Sequence, residues 1–126
     1  MFAFQLLAEW RTVDARDAER YPVALKAEVR SVLGTSRQTG SLVDISATGA
    51  AVVVAARPGG RQLEVSLSAG GYAATLPCEL VSVREHDESV TLSLSFEGLL
   101  PAQQAFVRQV IAVAQAARIA AIEAAS

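Results

Sequence analysis

The sequence predicts a mainly β domain, with six strands in an antiparallel sandwich or small barrel followed by one C-terminal helix. Three observations predict it. Apolar residues alternate with period two through five or six short runs between Val23 and Phe96. Each run is bounded by Gly, Pro, Ser or Asp. After Gly98 the apolar period changes to that of a helix.

Tyr21-Pro22 punctuates the chain, because proline fixes φ and lacks a donor. Val23, Leu25, Ala27, Val29 and Ser31 then fall on one face of a first strand, with Ala24, Lys26, Glu28 and Arg30 on the other. Gly34 to Gly40 reads as a turn-rich loop and Ser41 to Ile45 as a second strand. Ser46 to Gly49 turns the chain into a third, largely buried strand, Ala50 to Ala56. Leu63, Val65 and Leu67 point inward from a fourth strand over Gln62 to Ser68. A long fifth strand covers Tyr72 to Val83, with a break or bulge expected at Pro77. A polar tip, Glu85 to Glu88, leads to a sixth strand in which Val90, Leu92, Leu94 and Phe96 face inward. Closing such a sheet removes its exposed edges.

Pro101 suits the first turn of a helix. Phe106, Val110, Val113, Ala117 and Ala120 recur at helical spacing, and Val107, Ile111, Ile119 and Ile122 widen the apolar surface. Part of this helix should pack on the barrel. The excess apolar surface suits either a single capping helix or a homodimer through that helix. Residues 1–15 read as a short helix or an arm packed on the body.

Length and composition restrict function. A chain of 126 residues, 52% apolar, is one domain with a core. A net charge of −2 provides no basic field to recruit DNA or RNA. The single cysteine, Cys78, excludes an internal disulfide and fits a reducing compartment. The N-terminus lacks a basic leader, and Arg108, Gln115 and Arg118 interrupt the C-terminal apolar segment, so a cytoplasmic protein with no membrane insertion is expected. The sole histidine, His86, lies in the polar tip, and Cys78 reads as a small packed residue. No zinc-type spacing, phosphate loop or acid–base pair emerges, so the expectation is no enzyme, no metal and no cofactor.

Two motifs remain. Arg16-Asp-Ala-Glu-Arg20 precedes the first strand, and Asp44-Ile-Ser46-Ala-Thr-Gly49 lies at the turn after the second. Arg-x-x-x-Arg is weak alone; Arg57 and Arg61 repeat it, and ten arginines produce such a pair by chance about once. Asp-x-Ser-x-x-Gly is sharper, arising at random in roughly a few per cent of chains this long. As a bare turn it has an ordinary reading too, with Gly49 supplying a positive φ.

In their order, on a six-strand pattern with a C-terminal helix, these motifs resemble the PilZ domain, the bacterial receptor for cyclic di-GMP; the resemblance covers roughly residues 14–113. It implies a single domain over residues 1–126, with an arm over 1–22, a six-stranded antiparallel β-barrel over 23–97 and a helix over 101–124. It also implies that Arg16, Arg20, Asp44, Ser46 and Gly49 bind cyclic di-GMP. Arginine can pair with guanine O6 and N7 or grip a phosphate, and aspartate can accept guanine N–H donors. Ser46 would add a polar contact, and Gly49 would leave room for the ligand or the turn. The arm would order on binding and change the surface offered to an effector protein in motility, biofilm or envelope processes. Many PilZ domains carry Arg-Arg before the three-residue gap, whereas Ala15 precedes Arg16 here. Asp14, Asp17 and Glu19 could pair with the arginines and weaken anion capture. The alternative is a degenerate PilZ-fold module that binds proteins and no nucleotide.

Overall fold

The computed structural model describes residues 19–125. The arm residues 1–18, Arg16 among them, lie outside the described residues. Six strands form one closed antiparallel barrel: β1 (Tyr21–Ser31), β2 (Arg37–Ile45), β3 (Gly49–Val54), β4 (Gln62–Ala69), β5 (Tyr72–Glu85) and β6 (Val90–Phe96). Around the barrel the order is β1-β2-β3-β6-β5-β4, and β4 pairs back onto β1. A single helix, α1 (Pro101–Ala125), follows.

The alternation seen in the sequence fills the barrel. Ala27 and Val29 of β1, Leu63, Val65 and Leu67 of β4, and Leu92 and Leu94 of β6 are all at most 3% exposed. Leu42, Ile45, Val52 and Leu76 complete the centre. Burying a side chain of this size contributes about 1.5–3 kcal/mol, so these ranks of Leu and Val carry the stability of a barrel that has few aromatics. Cys78 belongs to the same core, 1% exposed. Burial pushes its thiol up to about 12, so it packs as an apolar residue and forms no thiolate near neutrality. His86 is exposed and meets the Thr91 hydroxyl at 3.0 Å.

β3 ends at Val54, short of the expected Ala56, and β5 runs on to Glu85. Three further features of the strands differ from expectation, each for a long-range reason. β1 begins at Tyr21, so Pro22 lies within it. On the β4 side, β1 pairs only from Ala27 onward, so Pro22 sits where that edge is open and a missing donor costs nothing. β2 begins at Arg37, inside the stretch read as a loop, because Arg37 to Gly40 pair with Ala27 to Arg30. Gly40 is required there: a Cβ would lie 2.4 Å from the Val53 carbonyl oxygen of β3. β5 runs unbroken through Pro77, which pairs with Glu64 in register. The Pro77 carbonyl accepts from Glu97 N–H at 2.9 Å, past the last residue of β6, so its nitrogen also faces the end of that ladder. The irregularity in β5 instead falls between Leu80 and Ser82.

The two halves of α1 differ. Phe106, Val107, Val110 and Ala114 are buried against the barrel, with Ile111 half-buried beside them. Every residue from Gln115 to Ala125 is exposed. Of the residues expected on the apolar face, Val113 is 53% exposed, on the side of α1 turned away from the barrel, and Ile119 is 56% exposed, beyond the last buried residue, Ala114. By length and composition alone α1 could cross a membrane, and 22% of its most apolar window is buried in the protein.

Candidate nucleotide-binding site

The site is built around a break in the alternation of β2. Leu42 and Ile45 are both fully buried, although an odd spacing should place them on opposite faces. The register of β2 slips against β3 between Leu42 and Asp44, and that of β1 slips against β2 between Pro22 and Leu25. This bulge reverses the phase of the strand. Strict alternation from Leu42 would aim Asp44 into the core; the bulge aims it outward, leaving its side chain 30% exposed. Bulges commonly re-aim a side chain in this way. Nothing in the composition of Ser41 to Ile45 signals it.

The turn after β2 is held from within. Ser46 N–H donates to the Gly49 carbonyl at 2.8 Å. Ser46 Oγ accepts from the N–H groups of Thr48 at 3.2 Å and Gly49 at 3.1 Å. Its hydroxyl also lies 3.3 Å from the Gly49 carbonyl. Ser46 is 2% exposed. Its polar atoms are therefore engaged in keeping the turn closed.

Gly49 likewise has a reason of its own. Its φ is not among the positive values found in the described residues, so the reading of Gly49 as a positive-φ turn residue is corrected. A Cβ would lie 2.2 Å from the Leu94 carbonyl oxygen. Gly49 opens β3 opposite Ser95, and the close approach of the β6 backbone there admits no side chain.

Arg20 immediately precedes β1, and its Nη1 donates to Asp44 Oδ1 at 2.5 Å. The pair is exposed, with side chains 49% and 30% accessible. The structure thus brings together Arg20, Asp44, Ser46 and Gly49 at one end of the barrel. Glu19, expected to compete for the motif arginines, instead faces Arg118 Nη1 of α1 at 3.4 Å. Gln115 Nε2 donates to the Tyr21 hydroxyl at 3.2 Å. The exposed half of α1 therefore flanks the point where the arm enters the barrel, an adjacency that linear order does not reveal. The second Arg-x-x-x-Arg pair is elsewhere: Arg57 faces Glu85 at 3.8 Å and Arg61 faces Glu79 at 3.7 Å. Among the described residues no group of three metal-ligating side chains converges.

This arrangement, a closed barrel whose Asp-x-Ser-x-x-Gly turn holds Asp44 against Arg20, defines a class. The PilZ domain profile matches residues 14–112, and the chain belongs to the PilZ domain family. Its fold matches the PilZ domain with c-di-GMP of YcgR from Escherichia coli, with a TM-score of 0.69 and 16% identity over 86% of this chain and 96% of that one. Against a crystal structure of YcgR in complex with c-di-GMP, the TM-score is 0.64 and the identity 21% over 85% of this chain. The inhibitor of motility MotI from Bacillus subtilis matches with a TM-score of 0.60 and 16% identity over 76% of this chain. The aligned region covers 49% of each of these last two proteins, about half their length. No curated protein sequence matches the chain.

Proposed function

We propose that this protein is a non-catalytic cyclic di-GMP receptor of the PilZ family, acting on an effector protein in the cytoplasm. The observation that carries the proposal is the outward-aimed Asp44 joined to Arg20 beside a rigid turn. Asp44 offers a carboxylate for the guanine N1–H and N2–H donors. Arg20, with Arg16 four residues earlier by the family pattern, offers guanidinium groups for phosphate oxygens or guanine O6 and N7. Ser46 and Gly49 contribute by fixing the turn on which Asp44 is presented. Neighbours whose structures hold c-di-GMP support the choice of ligand.

In the free protein Arg20 and Asp44 satisfy one another. An exposed ion pair of this kind is worth roughly 0–1 kcal/mol. Micromolar binding releases about 8 kcal/mol, so opening the pair is a small cost to the ligand. Exchange of Asp44 for ligand atoms at Arg20 would reposition the start of β1 and the arm before it. That shift is the signal read by an effector in motility, biofilm or envelope control.

Equilibrium dialysis with labelled cyclic di-GMP tests the site. Arg20→Ala and Asp44→Ala are each expected to lose binding while keeping the fold. Retention of parental affinity by either folded variant would remove that residue from the site.

A second reading has its own observation. Val113 stands exposed on the outer side of α1 and Ile119 on its free half, and such apolar surface suits a second copy of this chain or an effector. In that reading the domain is a protein-interaction module that binds no nucleotide. Sedimentation of Val113→Glu/Ile119→Glu beside the parent tests it; an assembly that dissociates in the variant supports it, and a parent that is monomeric at all concentrations removes the homodimer.

A further inference from the structure

Six of the eight arginines among the described residues face a carboxylate: Arg20, Arg30, Arg37, Arg57, Arg61 and Arg118. Arg84 and Arg108 are not in such pairs. Arg84 lies near the distal end of β5. Arg108 lies on α1 and lines an open cavity of about 570 Å³ together with Ala47 and Thr48 of the motif turn. Ser95, Phe96, Leu99, Gln104 and Val107 complete its largely apolar lining. That volume falls within the roughly 300–1,000 Å³ usual for small-molecule sites. Among the described residues lining it, Arg108 carries the only charge.

We infer that Arg108 is a further ligand-binding residue, gripping a phosphate of the cyclic dinucleotide on the α1 side of the turn, while Arg20 and Asp44 hold it on the arm side. The inference rests on the cyclic di-GMP reading and adds a third guanidinium to it. Thr48 joins the two sides. Its N–H is tied to Ser46 Oγ at 3.2 Å, and it borders the cavity. A ligand on the Asp44 side of this turn therefore has an adjoining space that ends at Arg108. The chemistry suits an anion. A guanidinium can take two phosphate oxygens at once. Unlike Arg20, Arg108 has no ion pair to surrender among the described residues. Phe96 and Leu99 offer apolar surface to the purine or ribose carbons.

The helix backbone at Arg108 is well held. Its neighbour Val107 is 2% exposed in the core. The first turns of α1 are fixed by Gln103 Nε2 donating to the Thr75 carbonyl at 2.8 Å and Gln104 Nε2 to the Leu99 carbonyl at 3.2 Å. A cation on a docked helix meets its ligand without the backbone ordering cost that a loop would incur.

The test is titration of the full chain with cyclic di-GMP for the parent, Arg108→Ala, Arg108→Lys, Arg84→Ala and Asp44→Ala, at low and high salt. Circular dichroism checks that each variant is folded. Arg108→Ala is expected to weaken binding about tenfold or more, as loss of a charged hydrogen-bonding partner does. Its salt dependence should be shallower than the parent's. Arg108→Lys should fall between them, and Arg84→Ala should match the parent. Parental affinity in Arg108→Ala, with binding lost in Asp44→Ala, would overturn the role of Arg108 and leave the receptor reading standing. A parent that binds nothing would overturn both.

Discussion

The two sides of the proposed site are built in opposite ways. The Asp44–Gly49 turn is stiff: Ser46 is buried and bonded within the turn, and Gly49 is pressed against the β6 backbone. The Arg20 side is loose: among the described residues its side chains make an exposed ion pair from Arg20 to Asp44, another from Glu19 to Arg118, and an exposed hydrogen bond from Gln115 to Tyr21. The difference teaches a division of labour. The turn is part of the barrel and presents Asp44 at a fixed place, whereas the arm side is joined by contacts weak enough for a ligand to replace.

Substitutions should separate the two. The largest loss of stability is expected from Gly49→Ala, because its Cβ would sit 2.2 Å from the Leu94 oxygen and force β3 from β6. Overpacking against backbone of this severity costs about 3 kcal/mol, visible as a lower urea midpoint. A midpoint equal to the parent's would show that the turn is softer than described.

Ser46→Ala comes next. It removes the acceptor for Thr48 and Gly49 N–H in a buried place, at a cost of about 1–3 kcal/mol. Urea denaturation is again the readout, and Ser46→Thr should recover part of the loss if its methyl group is accommodated.

On the arm side stability should scarcely change. Arg20→Ala and Asp44→Ala should each shift unfolding by less than about 1 kcal/mol while abolishing nucleotide binding. A large loss of stability in either would mean that the pair is structural. The smallest effect is expected from Arg118→Ala, which frees Glu19 beside Arg20. Stability should stay within about 0.5 kcal/mol, and binding should weaken slightly, since the released carboxylate can then compete for the arm's cations.

Much of the fold is legible in the sequence because a strand's burial pattern is local. Leu63, Val65 and Leu67, or Val90, Leu92 and Leu94, declare their inward face by spacing alone. The places that resisted reading are those where a distant backbone decides. Gly40 looks like a loop glycine until Val53 is placed against it, and Gly49 looks like a turn glycine until Leu94 is. Pro77 looks like a strand breaker until β6 is seen to end beside it. In the site, Asp44 was legible through its motif, but the bulge that turns it outward was not, because Leu42 and Ile45 are apolar whichever face they take. Arg108 could not be found at all from linear order: it lies 60 residues after Thr48 and meets the motif only when α1 docks on the barrel.

The most direct test is calorimetric titration of the purified protein with cyclic di-GMP, with GTP and cyclic di-AMP as controls. The account predicts selective binding of cyclic di-GMP at micromolar strength or tighter, lost in Asp44→Ala. No heat and no thermal shift from a folded protein would contradict it, and attention would pass to protein partners of the exposed half of α1.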